Sequence, residues 1–149
     1  RVETTERQLA LTLLRAQQMA VVRQHDVNVL FDTAARRLVL HADVNGNRQR
    51  DAGEMEWFIP LEPGVEFIRG AAPKGPPGDS IIGFKRKIGQ LPVLTYHRSG
   101  SASEAGGFYV GTKFSASGQK PKQARALVVD RGTGLVRRFQ LREGTWKSN

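Results

Sequence analysis

The chain contains no cysteine. That excludes disulfides, thiolate nucleophiles and thiolate metal sites. It also contains no run of 18 apolar residues, so the sequence as it stands does not span a membrane as a helix. Only three histidines are present (His25, His41, His97), scattered, with no HExxH or His-x-His pairing. There is no GxSxG, no phosphate loop and no GxGxxG after a strand, and no acid pair stands at suggestive spacing. The sequence therefore speaks against an enzyme, although folding can unite distant residues. Acidic residues are also in short supply: 14 Asp and Glu against 23 Lys and Arg give a net charge of +9. No signal peptide is visible.

The first stretch, Arg1 to Arg23, lacks both proline and glycine. Leu9, Leu13, Ala16 and Ala20 recur at helical spacing, and Ala10, Leu14 and Val21 widen the stripe. Glu3, Glu6, Arg7 and Arg15 fall outside it. The spacing predicts one amphipathic helix about 33 Å long at 1.5 Å per residue, over residues 1–24. No Pro, Ser or Asp opens the helix, and its pattern is under way by Val2. Two readings fit: a trimmed protein with a plain start, or a longer helix whose upstream half is missing.

After the helix the signals are those of strands. At 149 residues the chain is expected to form one domain, with a β-rich body over residues 25–149. Val27–Phe31 and Arg36–Ala42 flank a turn and read as a hairpin. Glu56–Ile59, Gly64–Ile68, Ser80–Phe84 and Leu91–Tyr96 are further strand candidates, the last an edge strand because of Pro92. The run 107–111 is another. Ala124–Val129 and Leu135–Leu141 enclose Asp130-Arg131-Gly132-Thr133-Gly134 as a tight turn. The segments 70–79 and 98–122 read largely as loops. The fold class is α+β: one long N-terminal helix packed on antiparallel strands.

Two constellations carry possible chemistry. The loop DVNGNRQRDAGE places Asp43, Asn45, Asn47, Asp51 and Glu54 at the side-chain oxygen positions of a twelve-residue calcium loop, with Gln49 offering a carbonyl. Arg48 stands where the sharp turn of such a loop needs glycine. The other reading is a polar hairpin loop held by Asn and Asp turns around Gly46 and Gly53. The second constellation is cationic. From Val110 onward nine Lys and Arg face only Asp130 and Glu143, a balance of +7. Arg131, Arg137, Arg138, Arg142 and Lys147, with Trp146 near, form a basic end that suits an anionic partner: nucleic acid, an anionic membrane surface or an acidic protein face. A solvated basic surface is the alternative. Arg137 and Arg138 are adjacent and so point to opposite faces of a strand.

The order of these parts resembles the GspH/FimT-type minor pseudopilins, the type IV pilin-like subunits of type II secretion systems and type IV pili. The resemblance is carried by the helix from Leu9 to Val22, by Asp43, Asn45, Gly46, Asp51, Gly53 and Glu54, by Pro63-Gly64-Val65, by Phe84, and by RALVVDRGTGLVRRF. It implies a pilin-like fold and a head domain whose missing upstream segment is a cleaved, methylated apolar half-helix. That half-helix would anchor the protein in the bacterial inner membrane before it enters a periplasmic filament. It implies no catalysis and no cofactor. The implied partners are other minor pseudopilins and secreted cargo, with Leu9, Leu13, Ala16 and Ala20 as the packing face for the head and, beyond it, for subunit contacts. Some FimT-like members are linked to DNA uptake through a Gly-Arg-x-Arg motif. The matching stretch here is Gly134-Leu135-Val136-Arg137-Arg138, with Leu135 in place of the first Arg. The Asp43 loop recurs in such proteins as a hairpin connection.

Overall fold

A computed structural model describes residues 1–149. Helix α1 runs over Val2–Arg23 and ends at Gln24, whose left-handed backbone (φ 57°) turns the chain straight into the first strand. No helix is long and apolar enough to cross a membrane. Leu9, Leu13, Ala16 and Ala20 are all sealed from solvent, at 1% exposure or less. Glu6 is equally buried, contrary to its expected place outside the stripe, and Leu14 and Val21 stay substantially exposed. The buried face is thus rotated toward Val2, Thr5, Glu6 and Thr12.

The strands are β1 (Asp26–Asp32), β2 (Arg37–Asp43), β3 (Glu56–Pro60), β4 (Lys87–Ile88), β5 (Leu91–Tyr96), β6 (Gly106–Val110), β7 (Arg125–Val129), β8 (Val136–Arg142) and β9 (Thr145–Ser148). They form two antiparallel sheets, ordered β3-β2-β1-β5-β4 and β6-β7-β8-β9. A short helix α2 (Lys113–Ala116) lies between β6 and β7. Helix α1 packs on both sheets, so one core joins all three. Val27, Val29 and Phe31 alternate along β1 toward it, as a period of two requires. Phe31 is the centre of an aromatic group, 4.9 Å from Phe108 and 5.3 Å from Phe84 between ring centroids.

Three strand expectations are corrected. Residues 64–68 and 80–84 form no strand. Each touches a neighbour through one isolated bridge, Glu66 to Gly111 and Ile82 to Phe108, while Val65, Phe67 and Phe84 fill the core. Strand β5 is not an edge: it lies between β1 and β4. Its register with β1 stops at Val93, and Pro92 faces Lys87 of the two-residue β4. The missing N–H of Pro92 therefore breaks no bond to β1.

Candidate functional site

Burying one stripe of α1 leaves a second. Leu11 and Leu14, with Val21 and Val22 two turns on, remain exposed, at 44%, 41%, 41% and 80%. They follow helical spacing on the side away from the core. Next to them, Leu135 in the turn between β7 and β8 is 58% exposed. A shallow groove of about 370 Å³ runs between the helix and this turn, lined by Ala10, Leu11, Leu14, Gly134, Leu135 and Val136 among others. The turn is locked to the helix. Gln17 donates from Nε2 to the carbonyls of Gly100 (2.8 Å) and Thr133 (2.7 Å), and the buried Tyr96 hydroxyl donates to the Gly134 carbonyl (3.0 Å). Gly134 adopts φ 71°, and any side chain there would meet Gln17 and the Gly100 carbonyl, so glycine is required twice over.

The residues named from the sequence as packing face, Leu9, Leu13, Ala16 and Ala20, lie in the domain's own core. The apolar surface open to a neighbour belongs instead to Leu11, Leu14, Val22 and Leu135. Leu14 and Val21 lie in the widened stripe of the sequence but belong to this second, exposed series, which Leu11 and Val22 complete.

The Asp43 loop is held by its own hydrogen bonds. Asp43 is buried and its Oδ2 accepts from the Arg48 amide at 2.8 Å and from Asn28 Nδ2 at 3.3 Å. Glu54 accepts from His41 Nε2 (2.8 Å), the Val44 amide (3.0 Å) and the Asp51 amide (3.0 Å). Asp51 accepts from Asn45 and Asn47, whose own oxygens take the amides of Asn47 and Gln49. Asn28 Oδ1 accepts from Thr95 Oγ1 at 2.6 Å, and its Nδ2 lies 3.1 Å from His41 Nδ1. An amide nitrogen can only donate, so Nδ1 accepts and Nε2 carries the proton it gives to Glu54. Burial alone would raise the Glu54 carboxyl, but the His41 bond and the two amides outweigh it and hold the group below its ordinary range. Arg48 takes the left-handed conformation (φ 59°) that a glycine would have supplied. No three His, Asp or Glu side chains converge as a metal-holding group. One oxygen of the set, Asp43 Oδ1, is buried without a partner.

The basic C-terminal end is divided between two faces. Arg138 pairs in register with Leu127 and faces α1, where its guanidinium is 3.9 Å from Glu6. Arg137 points the other way and lies over the Phe139 ring at 5.6 Å. Arg142 donates to the Ser148 carbonyl, and Arg131 is exposed in the turn. Lys147, opposite Gln140 on β9, is also exposed. Trp146 is engaged: it packs on Tyr109 at 5.6 Å and donates from Nε1 to the Pro73 carbonyl. The arrangement is thus a scatter of exposed cations with no free aromatic platform between them.

No protein-family model and no curated protein matches the sequence. Among solved structures, the fold is similar to that of the minor pseudopilin EpsH from the type 2 secretion system of Vibrio cholerae. The TM-score is 0.61 at 17% identity, over 93% of this chain and 96% of that one. A second EpsH structure aligns over 97% of this chain and 90% of its own at 16% identity, with a TM-score of 0.44. The chain therefore has the α+β fold of a GspH-type minor pseudopilin, with one long N-terminal helix laid on antiparallel sheets.

Proposed function

We propose that this chain is the periplasmic head of a minor pseudopilin, a non-catalytic subunit near the tip of a type II secretion pseudopilus. In this reading an apolar half of α1 precedes Arg1, anchors the subunit in the inner membrane and later packs inside the filament. The partners are other minor pseudopilins and, at the tip, secreted cargo. The observation that carries the reading is the helix with two apolar faces. A helix that served only its own head would bury one stripe and turn charge to solvent. Here Leu11, Leu14 and Val22 stay exposed beside Leu135, and such a strip on a soluble surface marks a contact with another chain. The fold of EpsH supports the same role.

Residues 1–149 contain no cysteine, so within them an introduced thiol is unique. Leu14→Cys carrying a thiol-attached photoactivatable cross-linker, in the full-length protein in its host, is expected to cross-link on illumination to another pilin-like subunit. Ala35→Cys, in the exposed β1–β2 turn, is not. A Leu14→Cys protein that is present and folded but forms no such product would sink the reading.

The DNA-handling alternative, a FimT-like type IV pilus subunit, rests on the +7 balance after Val110. It has less support: Arg138 faces Glu6, and Trp146 is not free to stack.

A further inference from the structure

A cationic cleft lies beside the first turn of α1 and was not singled out by any sequence motif. It measures about 710 Å³. Five cations line it: Arg1, Arg36, Lys113, Lys120 and Arg125. Its two carboxylates are both engaged, Glu3 with Arg7 at 2.9 Å and Glu66 with Arg36 at 3.4 Å. Arg125 is engaged with the buried Glu6. The uncompensated charge is therefore that of Arg1, Lys113 and Lys120.

Two of these flank an aromatic ring. The ammonium groups of Lys113 and Lys120 lie 5.3 and 5.2 Å from the centre of Phe114, which is 39% exposed at the cleft. Phe114 is held there by the short helix α2. Thr112 and Ser115 cap each other's backbone, and a β-carbon on Gly70 would collide with Ala116, so α2 sits tightly on the body. An exposed ring with two ammonium groups within 6 Å of it is the chemistry of a membrane interface: the ring suits the acyl boundary and the ammonium groups suit phosphates.

We infer that this cleft docks anionic phospholipid headgroups, with Lys113, Lys120 and Arg1 on the phosphates and Phe114 at the acyl boundary. The inference rests on the pseudopilin reading for its orientation, since an apolar half-helix preceding Arg1 brings this end of the head against the bilayer. It gives the unassembled subunit a second contact with the membrane besides its helix. Each cation near an anionic surface contributes about fivefold in partitioning, so three of them make a contact that a filament can displace.

The test is co-sedimentation of residues 1–149 with vesicles of phosphatidylcholine mixed with phosphatidylglycerol, against phosphatidylcholine alone. Binding only to the anionic vesicles is expected, weakening with salt. Lys113→Glu/Lys120→Glu is expected to lose at least about tenfold. Lys85→Glu/Lys87→Glu, an equal charge change at exposed residues around β4, is expected to retain most binding. Circular dichroism melts confirm that each variant folds. Equal losses in both variants would mean that net charge alone drives binding and would overturn the site. Equal binding to neutral vesicles, or tighter binding of duplex DNA through the same two lysines, would overturn it too. If Leu14→Cys cross-links but vesicles are not bound, only this inference fails. If vesicles are bound and Leu14→Cys does not cross-link, the subunit reading fails.

Discussion

The carboxylate of Glu6 on α1 and the guanidinium of Arg125 on β7 are separated by 119 residues of sequence and meet at 2.9 Å, both nearly sealed from water. Asn149 adds donors at 3.1 and 3.2 Å, and Arg138 stands at 3.9 Å. One acid on the helix thus ties the start of the chain to its last sheet and its last residue. A buried ion pair is no strong source of net stability, because desolvation offsets much of its attraction. Removing one partner is different, since it strands a charge. Glu6→Ala is expected to cost about 3–5 kcal/mol by urea unfolding, and Glu6→Met combined with Arg125→Met much less. A single variant within 1 kcal/mol of the parent would show that water reaches the pair.

That pair marks the limit of what is legible in the sequence. The 9, 13, 16, 20 series of α1 and the hairpins β1–β2 and β7–β8 follow from local pattern, because period and turn chemistry are local properties. Glu6 does not, for a charge on a helix reads as solvent-facing until its partner is known. Strand β9 is hidden for another reason: Thr145-Trp146-Lys147-Ser148 has little apolar alternation, and it pairs with β8 because Glu143 and Gly144 turn with φ 52° and 76°. That two-residue, both-positive turn suits a hairpin, and its Glu-Gly was the available signal. Residues 64–68 show the reverse error, where buried apolar residues were read as a strand although packing alone placed them. The cationic cleft joins Arg1, Arg36 and the Lys113–Lys120 segment from three distant parts of the chain, so no single stretch of sequence announces it.

The Glu54 carboxyl should make the hairpin loop sensitive to acid. Its folded pKa is lowered from an ordinary 4.5, so its contribution to stability is complete above that value and is lost as pH falls through the folded one. Glu54→Gln is therefore expected to be less stable than the parent at neutral pH, with the gap closing below about pH 4.5. Thermal melts of the two proteins from neutral to acid pH measure this. A gap that stays constant would assign the loss to shape and not to charge.

Calcium gives an independent handle on the same loop. A ligand bound only by the folded state raises its melting temperature by mass action. With Glu54 and Asp51 already taken by donors of the chain, millimolar calcium or a chelator is expected to leave the melt unmoved. A clear upward shift with calcium would point to the unpartnered Asp43 Oδ1 as the ligand that recruits it. Asp43→Asn should then abolish the shift.

The two adjacent arginines of β8 should behave as different residues. Arg138 faces α1 and helps balance Glu6, so Arg138→Ala is expected to lower stability, by roughly 1 kcal/mol, since its partial exposure lets water replace part of the contact. Arg137 lies on the opposite face, and Arg137→Ala should leave the melt nearly unchanged. Titration of duplex DNA by anisotropy, at low and physiological salt, then separates the functional readings. DNA held by this end would bind more weakly as salt rises, and Arg137→Ala would flatten the salt slope by about one phosphate contact. Arg138→Ala would change the slope less than the melt. Absence of binding at low salt would remove the DNA-handling alternative, because counterion release is strongest there and a cationic face that fails to hold DNA at low salt will not hold it at higher salt.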